Sequence, residues 1–270
     1  SEEHSHATEQ KLVKDDLDRI MGGIDRIVFA EDEVTTGKTI WNLITVLEQH
    51  YDGKLRFSVA SLLNGMSGDA VKIFADKGIG LHYLLKIRHD GYPEAADQAK
   101  ADGVCHQQNL SKAEYTARCD IEGRMDTRRL TDAKQYENAC GRLYEEIKER
   151  ISLEGCRKLL ILGTEEFMFP GLIVGKRLEE SGYSVKFHAT TRSPIAAGSS
   201  AEYPLHERYA LYSLYEEDRM IYVYDIEDYD AVIVLTDAQG DGQEGHRGEL
   251  SLLNAIRERN NIVYLIRWKV

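Results

Sequence analysis

Residues 27–49 constrain the fold more tightly than any other stretch of the chain. Ile27, Val28, Phe29 and Ala30 read as a short buried strand, and Glu31 and Asp32 follow as adjacent carboxylates. Val34-Thr35-Thr36-Gly37-Lys38-Thr39 is then a loop of small residues entering a helix that runs on from Trp41 to Gln49. Such a loop aims backbone N–H groups, threonine hydroxyls and the positive end of a helix dipole at one point, which is the recognition chemistry of a phosphate. The two acids would repel a bare polyphosphate. They suit a hydroxylated ligand, because carboxylates accept hydrogen bonds from the vicinal hydroxyls of a ribose and help to hold Mg²⁺. Gly37-Lys38-Thr39 also matches the end of the nucleotide-binding loop G-x-x-x-x-G-K-[ST], but the place of its first glycine is taken by Asp32. A carboxylate there opposes the phosphates that such a loop wraps. An acidic strand-to-helix turn capped by threonines, with no ligand, is the plainer reading of the same residues.

The chain around this stretch alternates strands with helices. Leu12, Val13, Leu17, Ile20 and Met21 have helical spacing, ended by Gly22-Gly23. A strand over 55–63, a helix over 67–77 and a strand over 80–87 follow the first motif, which predicts parallel βαβ units. Residues 88–131 are polar, with Gly91, Pro93 and Gly103, and are expected to form a connector with short helical pieces. Ala133, Tyr136, Ala139, Cys140, Leu143, Tyr144 and Ile147 then mark a long amphipathic helix over 131–152. A second series begins with a strand over 158–162 and Gly163-Thr164-Glu165-Glu166, expected to open a helix through Glu180 despite Pro170 and Gly171. Strands over 184–189, 220–224 and 231–235, a helix over 248–259 and a strand over 262–266 complete it. The expected fold class is therefore α/β, with two parallel-sheet units at 1–90 and 131–270 joined by a connector at 91–130.

In open parallel sheets, ligands gather outside the carboxyl ends of the strands. Three loops of the second unit fall there: 163–166, 190–194 and 236–242. Gly163 and Thr164 are expected to offer amides at a helix N-terminus, while Thr191, Arg192 and Ser193 supply a fork-shaped cation and two hydroxyls, together a receptor for a phosphate or carboxylate. Glu165, Glu166, Asp237 and Asp241 would repel a bare anion, so the ligand is expected to bring hydroxyls or Mg²⁺. The same Thr-Arg-Ser-Pro residues also read as an ordinary strand-ending turn.

Composition removes several classes of function. A formal charge of −12 over 270 residues disfavours nucleic acid and anionic membranes as partners, since both reward Lys/Arg surfaces. No apolar run approaches the ~18 residues of a membrane span. Cys105, Cys119, Cys140 and Cys156 form no C-x-x-C pair and read as reduced thiols of a cytoplasmic protein. Residues 1–10 are polar and, read alone, a frayed terminus; His4 and His6 with Glu2, Glu3 and Glu9 make only a weak metal cluster.

The acidic pair followed by Val-Thr-Thr-Gly-x-Thr resembles the phosphoribosyl-pyrophosphate (PRPP) motif of type I, orotate-type phosphoribosyltransferases. In that family the pair, here Glu31 and Asp32, contacts the ribose 2′- and 3′-hydroxyls, and the loop, here Thr35 to Thr39 after Val34, holds the 5-phosphate. The position after the pair is usually apolar in the family and is Glu33 here. The resemblance implies Mg²⁺ as cofactor, reached only indirectly by Glu31 and Asp32, with PRPP and a base-like small molecule as partners. It also implies a mobile loop upstream of the motif, which makes His4 and His6 catalytic candidates beside Glu31 and Asp32. The family's earlier strand and pyrophosphate loop precede that point. The resemblance thus implies a fragment, a processed chain or one half of a split protein, working as a homo-oligomer or with a chain that supplies the missing part.

Thr190-Thr191-Arg192-Ser193-Pro194 is similar to the signature of the TRSP domain, a Rossmann-like unit fused behind orotate-type phosphoribosyltransferase domains in bacterial tellurite-resistance and stress-response operons. The two resemblances together imply phosphoribosyl transfer onto a nitrogenous acceptor in such a biosynthetic pathway. The alternative is a regulatory module that binds a nucleotide or phosphoribosyl group without catalysis.

Overall fold

The structure is a computed structural model and describes residues 12–51, 55–88, 100–216, 218–239 and 243–270. The chain divides into two compact units, Ser1–Ala96 and Asp97–Val270. Both are α/β with parallel sheets, as the alternation of strands and helices predicts.

The first unit contains α1 (Lys14–Ile20), β1 (Arg26–Val34), α2 (Lys38–His50), β2 (Arg56–Asn64), α3 (Gly68–Asp76) and β3 (Gly80–Lys86). Its strands lie in the order β1-β2-β3, all parallel, with Phe29 opposite Val59 and Glu31 opposite Ser61. Ile40, Ile44 and Leu47 recur at i, i+4 and i+7 on α2 and pack with Phe57 and Val59 of β2 and Phe74 of α3. Ser67 starts α3 by accepting a hydrogen bond from the Ala70 amide at 3.2 Å. Val28, Leu62 and Leu84, one on each strand, are exposed.

The second unit contains β4 (Val104–His106), β5 (Ala117–Glu122), α4 (Ala133–Arg150), β6 (Lys158–Gly163), α5 (Phe169–Glu180), β7 (Ser184–Ala189), β8 (Glu207–Tyr212), β9 (Met220–Tyr224), β10 (Ala231–Thr236), α6 (Gln243–Arg257) and β11 (Val263–Lys269). Five strands form a parallel sheet in the order β5-β11-β10-β6-β7. Its central strands β6 and β10 are covered on both faces, which is why they read as unbroken apolar runs. Leu160, Leu162, Val232 and Val234 join one core with Leu252, Leu253 and Ile256 of α6 and with Tyr209, Leu211, Ile221 and Val223 of β8 and β9. Leu159, Ile161, Ile233 and Leu235 turn to the other core with Leu143 and Ile147 of α4 and Val174 and Leu178 of α5. Each fully buried side chain of this size contributes about 1.5–3 kcal/mol. A second sheet has the order β4-β8-β9, in which β8 and β9 pair antiparallel.

Three local expectations are corrected. Residues 104–106 and 117–122, read as connector with short helical pieces, are strands β4 and β5. In β5, Ala117, Cys119 and Ile121 alternate with Arg118, Asp120 and Glu122, so this strand at the sheet edge carries no apolar run and owes its conformation to pairing with β11. The stretch Gly163–Glu166 does not open a helix. Thr164 bridges to Phe167, Glu165 has a left-handed backbone at φ 49°, and α5 begins only at Phe169. Pro170 stands in the first turn of α5, where its missing N–H costs nothing, so it starts the helix and does not interrupt it. Finally, β8 lies in a stretch whose residues predict no element, and α6 begins at Gln243, ahead of the expected 248.

The four cysteines are unpaired. Among the described residues no helix is long and apolar enough to cross a membrane.

Candidate functional site

In the first unit, Glu31 and Asp32 occupy the carboxyl half of β1 and are exposed to solvent. Consecutive strand residues leave the backbone on opposite faces. Asp32 is oriented locally, its Oδ1 accepting from the Glu33 amide at 2.8 Å. Partial burial and then the neighbouring Asp32 charge push the Glu31 carboxyl above its ordinary value. Val34 is buried and anchors the strand end, whereas Thr35, Thr36, Lys38 and Thr39 are exposed and Gly37 is buried. Thr36 Oγ1 accepts from the Lys38 amide at 3.3 Å. Gly37 is the N-cap of α2, with φ 77° and ψ 2°, and brings no side-chain acceptor to the first turn, which also contains no acidic residue.

The loop rests on the segment after β2. Val34 O accepts from the Gly65 amide at 2.8 Å, and Asn64 Oδ1 accepts from the Met66 amide at 3.1 Å. Lys86, at the end of β3, donates to Asn64 Oδ1 at 2.6 Å and to Met66 O. Asn64, Met66, Phe74 and Lys86 do not stand out in the sequence. Only Asn64-Gly65 carries a signal, the turn dipeptide. Val34 to Thr39 are thus brought together with Glu31 and Asp32 by local chain geometry, while His4 and His6 lie outside the described residues.

Among the described residues no three His, Cys, Asp or Glu side chains come together as a metal-holding group. Two carboxylates build no cage for Mg²⁺, and they would reach such an ion only where a ligand brings it, through the ligand's hydroxyls or water.

In the second unit a cavity of about 520 Å³ lies at the carboxyl ends of β5, β6, β7 and β10. Arg124 follows β5, Glu165 to Phe167 follow β6, Arg192 follows β7 and Asp237 follows β10, and Tyr215 and Arg219 close it from the segment between β8 and β9. Arg192 and Asp237 therefore come to one place, as the loop positions lead one to expect. Gly163, Thr164, Thr191 and Ser193 are absent from the lining given by the described residues. Gly163 ends β6 between β10 and β7, and Thr191 pairs with Tyr222 through backbone bonds of 2.7 and 2.8 Å.

Thr164 is wholly buried and works beneath the cavity. Its Oγ1 donates to Thr236 Oγ1 at 2.9 Å and lies 2.7 Å from the Tyr215 hydroxyl, which donates to Asp237 Oδ1 at 2.8 Å. Burial, then the Asp237 charge, push the Tyr215 hydroxyl well above its ordinary value, so it stays a donor. Arg124 reaches the other Asp237 oxygen at 3.2 Å. Glu165 is buried and accepts from Ser213 Oγ at 2.6 Å and Arg219 at 2.6 Å, while Arg192 pairs with Glu166 at 2.5 Å. Arg124, Tyr215 and Arg219 escape a reading of the sequence because no spacing links them.

Residues 1–83 match the family described as phosphoribosyl transferase, and residues 122–255 match the one described as TRSP domain C terminus to PRTase_2. No curated protein and no solved structure matches the chain.

Proposed function

Residues 1–83 belong to the phosphoribosyl transferase family and residues 122–255 to the TRSP domain, and from that fused organisation we propose that the chain is a Mg²⁺-dependent transferase moving ribose 5-phosphate from PRPP to a nitrogenous, base-like acceptor. The observation that carries the reading is the run of exposed acids at the carboxyl end of β1 leading directly into a helix whose N-cap is Gly37. Amides and threonine hydroxyls of 35–39 receive the 5-phosphate at the positive end of α2. Glu31 and Asp32 accept hydrogen bonds from the ribose hydroxyls. With the sugar fixed at both ends, the anomeric carbon is held for in-line attack by the acceptor nitrogen, and the carboxylates stabilise the positive charge that develops on the ring. A Mg²⁺ carried on the substrate, reached by Glu31 and Asp32 through its hydroxyls or water, would supply the neutralisation of the leaving pyrophosphate. A role in a bacterial stress-response or tellurite-resistance pathway is the outermost part of this reading and rests on family resemblance alone.

Calorimetry of PRPP with Mg²⁺ against the wild-type chain and Asp32→Asn tests it. A loss of affinity of about tenfold or more is expected for one charge-assisted hydrogen bond. Equal affinity in the two proteins would remove the central claim.

A further inference from the structure

The cavity of the second unit stands at a topological switch point. From β6 the chain continues to β7 on one side of the sheet, whereas β10 continues to β11 on the other, and β6 and β10 are neighbours. Open parallel sheets bind ligands in the crevice that such a reversal leaves at the strands' carboxyl ends. Glu165 and Asp237, which follow these two strands, are there, and Tyr215 ties Thr164 to Asp237 across the gap.

The side chains say what the crevice recognises. Arg124 and Arg219 are mostly buried, and each has a guanidinium Nε that is shut off from solvent with no hydrogen-bond partner among the described residues. Their terminal nitrogens are held by Asp237 and Glu165. Arg219 is paired with Glu216 as well, so both guanidiniums are held in place by carboxylates before a ligand arrives. An anionic oxygen brought by a ligand would meet guanidiniums already oriented by these acids. Arg192, more exposed, adds a third guanidinium at the rim.

The charge balance limits that ligand. Four arginines (124, 128, 192, 219) face five acids (126, 165, 166, 216, 237) in the lining, so a bare polyanion would meet no net attraction. A ligand with one compact anionic group and several hydroxyls fits both sets of side chains, as carboxylates accept from hydroxyls while the arginines take the anion. Phe167 and Tyr215 are the aromatic residues of the lining. Glu165 is kept in a left-handed backbone conformation that non-glycine residues adopt at a cost of about 1–3 kcal/mol, a form of strain that concentrates at ligand sites.

We propose that this cavity binds a small phosphate monoester of a hydroxylated ring, of the size and chemistry of a sugar phosphate or nucleoside monophosphate. A phosphoribosylated base belongs to that class, but the assignment stands on the residues of the second unit alone.

The test uses the full chain and four probes by calorimetry: ribose 5-phosphate, adenosine 5′-monophosphate, adenosine and inorganic phosphate. Each is titrated into wild type, Arg192→Gln, Arg124→Gln and Asp32→Asn. Loss of a charge-assisted contact in either arginine variant is expected to weaken the two phosphate monoesters by about tenfold or more at a site that Asp32→Asn retains, whatever that variant does to binding at residues 31–39. Adenosine and inorganic phosphate should bind more weakly than either ester. Arg192 is an exposed side chain, so Arg192→Gln keeps the test decisive even if Arg124→Gln fails to fold. The proposal is overturned if neither ester binds, if both arginine variants bind like wild type, or if binding is lost in Asp32→Asn, which would place the ligand in the first unit. Inorganic phosphate binding as tightly as the esters would overturn the hydroxylated-ring part.

Discussion

A β-carbon added at Gly37 would stand 3.0 Å from Cζ of Phe74 and 2.9 Å from Cε of Met66. The turn that begins α2 is thus pressed against α3 and the segment after β2, and the loop of residues 35–39 takes its shape from the core beneath it.

Gly37→Ala separates the two demands on this position. The φ of 77° alone costs an alanine roughly 1–2 kcal/mol, and the crowding against Met66 and Phe74 adds about 1–3 kcal/mol. Gly78 has nearly the same φ, 76°, with nothing within 4 Å of the place a β-carbon would take, so Gly78→Ala meets only the first cost. Denaturant unfolding should show Gly37→Ala as the more destabilised by at least about 1 kcal/mol. Equal losses would mean that the loop yields freely and is not templated by the core.

Glu249 on α6 is almost fully buried between Arg118 of β5 and Arg267 of β11. Glu249→Ala leaves the largely buried Arg267 guanidinium without this carboxylate, and removing one partner of a buried pair typically costs about 3–5 kcal/mol. For a unit of this size that is a fall in melting temperature on the order of 10 °C. A thermal scan in which Glu249→Ala melts with the wild type would show that solvent reaches the pair.

Tyr215→Phe removes the hydroxyl that joins β6 to the end of β10. Asp237 keeps Arg124, but Thr164 loses its 2.7 Å contact in a wholly buried position. The expected loss is about 1–3 kcal/mol, read by denaturant unfolding. Wild-type stability in this variant would mean that water replaces the hydroxyl.

Legibility in the sequence follows contiguity. The acids and loop of 31–39 are adjacent along the chain, so one local pattern contains them, whereas Met66 and Lys86 beneath the loop carry no such signal. Strands β6 and β10 are legible because burial on both faces forces apolar runs, and β5 is not, because Arg118, Asp120 and Glu122 point away from its core and imitate a polar connector. Thr164-Glu165-Glu166 has the composition of a helix start, but the Glu165 carboxylate is claimed by Ser213 and Arg219, some fifty residues on, and the chain turns there instead. The cavity of the second unit is assembled from four strand ends and one loop, a juxtaposition that only the sheet order creates.

The raised Glu31 carboxyl couples binding and stability in opposite senses. Partial burial and the Asp32 charge disfavour its ionised form in the folded chain, so the folded state holds its proton to higher pH than the unfolded state does. The first unit is therefore handicapped at neutral pH. The handicap is relieved as pH falls through the raised folded value towards the ordinary glutamate value, because there the folded state binds the extra proton. The PRPP reading requires the ionised form, which accepts hydrogen bonds from the ribose hydroxyls, so affinity should weaken over the same window. Glu31→Gln should remove both effects: it makes the unit somewhat more stable at pH 7, flattens that part of its stability profile, and leaves PRPP binding weak, with only the pH dependence that PRPP's own phosphates bring. Parallel denaturation and calorimetric titrations between pH 4 and 8 measure both. If acidification weakens PRPP binding equally in wild type and Glu31→Gln, the titrating group is not Glu31 and its contact with the ribose is wrong.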